Sequence, residues 1–199
     1  DVGTGGRWQH DGSHRKGVAY RDPATRQQFG QNRPGADQRQ QFAEETEAVA
    51  RRIEEAGMAK VAEAYALAPS RVQFQNKDPR GWREFADQLG HNSTPGSART
   101  MRGVQKRRPS LFDLVERMKT ITAPTLVMTG DEDWPCLEPA LLMKRTIMSA
   151  ALVVMPNTGH TINLEEPDAF NAHLDLFLRT VDAGRWPRPA RRGRASSRT

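Results

Sequence analysis

Apolar residues recur at three- and four-residue steps between Ala36 and Leu67. Phe42, Val49, Ile53, Met58, Val61 and Tyr65 stand there among Glu, Arg and Gln. That spacing predicts an amphipathic helical stretch, and Gly57 is expected to divide it in two. Pro69 blocks a simple continuation. Asp78-Pro79 reads as an N-cap followed by proline at the first helical position, ahead of a face formed by Trp82, Phe85, Ala86 and Leu89. Residues 93–108 form a polar helical candidate. Ser110 and Asp113 have the spacing of a capping box, ahead of the stripe Leu111, Leu114, Val115 and Met118. Residues 36–120 therefore read as a run of short helices with no convincing strand.

The pattern changes after Pro124. Thr125-Leu-Val-Met-Thr129 is a continuous apolar run of β-formers that ends at Gly130, and Ala151-Leu-Val-Val-Met155 is a second, ending at Pro156. Between them Leu137, Leu141, Leu142 and Ile147 mark a helix. A last helix starts at Pro167, carries Phe170, Leu174, Phe177, Leu178 and Val181, and ends at Gly184, a C′ glycine. Strand, helix, strand, helix with strands apolar throughout is the α/β pattern of a parallel sheet covered on both faces. Two strands are too few for such a sheet, so its other strands are expected outside this sequence. The start at Asp1 rather than Met leads to the same expectation, a truncation at the N-terminus.

Charge alters this picture only at one end. The formal net charge of +6 is carried entirely by residues 185–199, which hold Arg185, Arg188, Arg191, Arg192, Arg194 and Arg198 and no acid. A short basic tail with Pro, Gly and Ser reads as a disordered end, and it lacks the aromatic interleaving of a stacking surface beyond Trp186. Specific nucleic-acid binding is not expected. With 27% charged residues and a mean hydropathy of −0.75, much of the chain is solvated, and no apolar run reaches the roughly 18 residues of a membrane span. The single cysteine, Cys136, excludes an internal disulfide. Together with the absence of a signal-peptide pattern, it makes a cytoplasmic location the expectation.

Candidate chemistry lies on the loops that leave the carboxyl ends of the two strands, where open α/β sheets collect functional groups. The first loop is Gly130-Asp-Glu-Asp133-Trp-Pro-Cys136, and the second is Asn157-Thr-Gly159-His160-Thr161. Adjacent parallel strands would bring Asp133 and His160 together. A buried carboxylate on the Nδ1 proton of an imidazole fixes its tautomer and stabilises the imidazolium formed when Nε2 takes a proton. Asp131 is the competing acid, and with Glu132 it reads as a loop cap or a solvent-facing group. Cys136 reads as packing, because a nearby carboxylate makes a thiol less acidic. Glu165 and Glu166 suit the positive end of the last helix. Trp82, Phe85 and Met101 read as packing of the helical region, with a pocket wall as the alternative. His10, His14 and His91 lack the spacing of a zinc site, and His173 reads as a surface position.

Thr125-Leu-Val-Met-Thr-Gly-Asp-Glu-Asp133 resembles the acid-bearing strand and loop of α/β-hydrolases. Met155-Pro-Asn-Thr-Gly-His160-Thr-Ile-Asn-Leu-Glu-Glu-Pro167 resembles their histidine loop and the start of their final helix. The likeness runs over residues 121–182, and within the family it is to the lactonase and carboxylesterase branch, including 3-oxoadipate enol-lactonase-like proteins. It implies Asp133 as the triad acid and His160 as the base, an ester or lactone substrate, and no metal or organic cofactor. It also implies a helical lid inserted before the acid-bearing strand. The resulting division is an irregular segment over 1–34, a lid over 35–120, a core βαβα section over 121–184 and a tail over 185–199. The opening Asp1-Val-Gly-Thr-Gly-Gly6 resembles the end of the strand that precedes such a lid.

One family element is missing from the sequence. No G-x-S-x-G nucleophile elbow occurs in it. Ser13, Ser70, Ser93, Ser97, Ser110 and Ser149 do not follow a buried strand. The 199 residues alone are therefore expected to be inactive. The alternatives are an aspartate-nucleophile chemistry of the dehalogenase or epoxide-hydrolase kind, or a non-catalytic interaction or basic nucleic-acid-binding protein.

Overall fold

The structure, a computed structural model, describes residues 36–186. The irregular segment expected over 1–34 and the tail from residue 187 lie outside the described residues. Helix α1 (Ala36–Ala56) and helix α2 (Met58–Ala66) are separated at Gly57. Gly57 has φ +80°, the left-handed region that a glycine enters without a Cβ penalty. A 3₁₀ turn (Pro69–Arg71) and helix α3 (Val72–Lys77) follow. Helix α4 (Pro79–Gly90) starts on Asp78, whose side chain accepts from the Gly81 N–H at 2.9 Å. Helix α5 (Thr94–Thr100) runs into one π-helical turn (Met101–Gln105). The expected capping box forms at Ser110 and Asp113, opening a 3₁₀ turn (Leu111–Leu114) and helix α6 (Val115–Met118).

The α/β part then consists of strand β1 (Thr125–Gly130), helix α7 (Trp134–Thr146), strand β2 (Ala150–Met155), the short helix α8 (Ile162–Glu165) and helix α9 (Pro167–Asp182). β1 and β2 pair in parallel, with Thr125 opposite Ala150 and Gly130 opposite Met155. They form a two-stranded sheet, and no other strand occurs among the described residues. The predicted strands are present, but Val154 is exposed, so the sheet is not covered throughout. Gly184 has φ +66° beyond the last helix, as expected of a C′ glycine.

Two apolar clusters hold these parts. Ala50, Ile53, Met58, Ala62 and Ala98 join α1, α2 and α5. Met118, Val127, Ala140, Ile147 and Ala150 join α6, α7 and the sheet. Between them, Phe74 of α3 is buried and meets Phe85 at 6.0 Å between ring centroids. The buried Arg71 lies over the rings of Tyr65 and Phe85 and donates to the Tyr65 hydroxyl at 2.7 Å. Trp186 ends the described chain, edge-on to Phe177, with its indole N–H donating to the Ser149 carbonyl at 2.7 Å. No helix among the described residues is long and apolar enough to cross a membrane.

Candidate active site

Because β1 and β2 run in parallel and end opposite one another, the loops that follow them leave the sheet side by side. Three hydrogen bonds stitch those loops together. The Asp131 N–H donates to the Met155 carbonyl at 2.9 Å, the Glu132 N–H to the Thr158 carbonyl at 3.0 Å, and the Thr158 N–H to Asp131 Oδ1 at 3.1 Å. Gly130 permits this approach. A Cβ there would sit far inside contact distance of the Thr158 and Gly159 carbonyls.

The stitching brings Asp133 and His160 together across 27 positions of sequence. His160 Nδ1 lies 2.7 Å from Asp133 Oδ2. With Asp133 as carboxylate and the imidazole neutral, the carboxylate only accepts, so this contact requires the ring proton on Nδ1 and leaves the Nε2 lone pair to act as a base. Exposure divides the pair: the Asp133 side chain is 5% exposed and the imidazole 37%. The acid is buried beneath a base that solutes can reach. Asp133 Oδ1 is buried with no hydrogen-bond partner among the described residues, an arrangement that costs free energy in a fold that serves stability alone.

The histidine loop is fixed by two groups that the sequence did not single out for this work. The His160 N–H donates to the Ser70 carbonyl at 2.9 Å, which docks the 3₁₀ turn of the helical region onto the loop. Glu165, 5% exposed, takes the Gly159 N–H at 2.6 Å, the Thr161 N–H at 3.0 Å and the Thr161 hydroxyl at 2.9 Å. Its expected place was the positive end of the last helix; it is instead a buried clamp on both sides of His160. Glu166 does precede α9, where it pairs with Lys77. Gly159 has no positive φ. It is a glycine because a Cβ would collide with the Ser70 carbonyl.

The other candidates take different positions. Asp131 caps the histidine loop, and Glu132 accepts from Gln73 Nε2 at 2.8 Å on each oxygen. Cys136 Sγ lies 3.8 Å from His160 Nδ1. Burial, and then the hydrogen bond and charge of Asp133, push its thiol up to about 12, which does not suit a nucleophile near neutral pH. Trp134 is 67% exposed, and His91 and His173 are exposed. Met101 lines a cavity of about 1050 Å³ together with Val49, Ile53 and Val61 of the helical region and Pro135, Cys136, Pro139 and His160 of the α/β part. Phe85 packs on Phe74, and the Trp82 indole donates to the Ala66 carbonyl at 2.8 Å.

Comparison with known proteins gives this arrangement its setting. The sequence model of the Alpha/beta hydrolase family matches residues 14–173, and the chain belongs to that family. A proline iminopeptidase, PfmaB, of Pestalotiopsis fici is 30% identical over 73 residues, which are 36% of this chain and 26% of that protein. Among solved structures, MenH from S. aureus has a TM-score of 0.70 at 21% identity, over 76% of this chain and 56% of that one. A thermophilic esterase from Thermogutta terrifontis, solved with malate bound, has a TM-score of 0.60 at 25% identity, over 75% of this chain and 53% of its own. The chain thus spans about a quarter of the curated relative and just over half of the solved structures.

Proposed function

We propose that the protein carrying this chain hydrolyses a carboxylic ester or lactone, with His160 as general base and acid and Asp133 as the carboxylate behind it. The observation that carries this reading is the 2.7 Å contact between His160 Nδ1 and the buried Asp133. In the proposed cycle Nε2 removes the proton of a serine hydroxyl as its oxygen attacks the acyl carbon. Asp133 stabilises the imidazolium, which then gives that proton to the leaving alkoxide. Water repeats the sequence on the acyl-enzyme and releases the acid. The cavity beside His160, walled by Val49, Ile53, Val61 and Met101, suits an apolar acyl or alcohol group. The helices of residues 36–118 would serve as the lid over it.

No G-x-S-x-G nucleophile elbow occurs in the 199-residue sequence, and the oxyanion amides that accompany such an elbow are worth about 3–4 kcal/mol each in the transition state. The elbow and its amides are proposed to lie on a longer natural product of the same gene. A second reading, cleavage of an amide bond at proline, is favoured by the 73-residue likeness to the iminopeptidase. It would use the same pair.

The test compares short-chain aryl esters and a prolyl aminocoumarin as substrates for the longest natural product containing residues 1–199. Ester turnover that falls about 10⁴-fold in His160→Ala and in Asp133→Asn is the expected result. Undiminished turnover in both variants would overturn the assignment. Hydrolysis by the 199-residue chain alone, lost in His160→Ala, would overturn the placement of the nucleophile outside it.

A further inference from the structure

Asp133, Cys136 and His160 bring three kinds of metal-ligating atom into one space: a carboxylate oxygen, a sulfur and an imidazole nitrogen, all within 4.8 Å of one another. Two of the separations are 2.7 Å from Nδ1 to Oδ2 and 3.8 Å from Nδ1 to Sγ. A tetrahedral zinc ion holds sulfur at about 2.3 Å and nitrogen and oxygen at about 2.0–2.2 Å. Those bond lengths put nitrogen and sulfur about 3.5 Å apart and nitrogen and oxygen about 3.3 Å apart. The two measured separations, Nδ1 to Sγ and Nδ1 to Oδ2, reach those values by changes of roughly half an ångström, within the play of a rotamer well. The sulfur and the carboxylate oxygen lie within 4.8 Å of each other.

The local backbone favours the set. Asp133 occupies the N-cap position of α7, and Cys136 sits in its first turn, its N–H donating to the Asp133 carbonyl at 2.8 Å. The three-residue spacing therefore holds both side chains at one end of the helix. A helix N-terminus by itself repels a cation, but it favours the carboxylate and thiolate that would surround one. Asp133 adds a buried carboxylate whose Oδ2 already faces His160 Nδ1. Cys136 and His160 also line the large cavity, which gives an ion a route in.

We propose that Asp133, Cys136 and His160 form an inhibitory binding site for a thiophilic divalent cation of the zinc class. The ion takes the Cys136 sulfur as thiolate, releasing one proton to solvent. It also takes His160 Nδ1, whose proton moves to Nε2, and Asp133 Oδ2. Magnesium and calcium are excluded, because one carboxylate oxygen with sulfur and nitrogen is the wrong donor set for a hard cation. Occupancy separates His160 from Asp133 and blocks Nε2 with a proton, so the base is switched off. That consequence rests on the hydrolase reading above, whereas the binding itself does not.

The experiment titrates cobalt(II), and then zinc, into the reduced 199-residue chain and reads absorbance without any substrate. The expected result is one equivalent of cobalt, a thiolate-to-cobalt charge-transfer band, and displacement by zinc but not by magnesium. Zinc affinity should fall at least about tenfold in Asp133→Asn and in His160→Gln, and more in Cys136→Ser, with circular dichroism showing each variant folded. A chain in which His10, His14, His91 and His173 are all replaced by Gln should keep the band. Absence of the band at saturating cobalt would overturn the site. So would a band untouched by Asp133→Asn and His160→Gln, or one lost with the four remote histidines. Inhibition of ester turnover by zinc in the longer product is read separately, so failure of catalysis there leaves the optical result intact.

Discussion

The Glu165 carboxylate grips the backbone on either side of His160, accepting from the Gly159 N–H at 2.6 Å and the Thr161 N–H at 3.0 Å. The imidazole is therefore held at both flanks before its side chain meets Asp133. Glu165→Gln replaces one acceptor oxygen with an amide that faces donors. Unfolding free energy is expected to fall by about 2 kcal/mol, and amide exchange at Gly159 and Thr161 to quicken. Urea titration and hydrogen exchange check both; unchanged protection at those two amides would contradict the clamp.

Gly159→Ala tests the contact between the helical region and the histidine loop. Its Cβ would meet the Ser70 carbonyl oxygen, a backbone atom that cannot turn aside. The expected cost is about 3 kcal/mol, seen as a lower urea midpoint with an unchanged slope. The same substitution at Gly57 has open space around it and meets only the strain of a positive φ, so it should cost about 1 kcal/mol.

Much of this site was legible because its signals are local. A β-forming run stopped by glycine and a Gly-His after a second run put two loops at one sheet edge, and the resemblance of those loops to the α/β-hydrolase acid and histidine segments singled out Asp133 and His160. Gly57, the Asp78 cap and the Ser110–Asp113 box were legible for the same reason: each turns on residues within one helical turn. Glu165 was not legible, since a glutamate ahead of a proline satisfies the helix-end rule equally well. Nor was the docking of Ser70, whose carbonyl meets the His160 N–H across 90 positions with no side-chain identity to mark it. Phe85 and Trp82 fit an apolar face, but whether that face met a cavity or Phe74 depended on how α3 folded back.

Cys136 offers a reading of its surroundings through pH. Burial raises its thiol from 9.0 to about 12, so the folded chain keeps a proton that the unfolded chain releases. Stability linked to this group is present below about pH 9 and is lost as pH rises toward 12. With a single cysteine in the chain, alkylation is unambiguous. Iodoacetamide at pH 8 is expected to react at least about 100-fold more slowly with the folded chain than with the chain in urea. Equal rates would show the thiol to be neither buried nor beside a carboxylate.

Glu47 supplies the opposite sign. Hydrogen bonds from Lys106 and then Arg102 hold its carboxyl down at about 2, from 4.5, tying α1 to the turn after α5. Its contribution is present above about pH 4.5 and is lost as pH falls toward 2. Glu47→Gln is expected to melt below the parent chain at pH 7, with the two curves converging near pH 2. A gap that stays constant over that range would assign the loss to packing.

The acid–base pair itself is tested most directly by proton NMR of the ¹⁵N-labelled chain. One exchangeable proton, bonded to His160 Nδ1 and shifted far downfield by the short contact with Asp133, is expected in the parent. It should vanish in His160→Gln and move sharply upfield or vanish in Asp133→Asn. A parent spectrum without that resonance, or one unchanged by Asp133→Asn, would contradict the pairing on which the hydrolase reading stands.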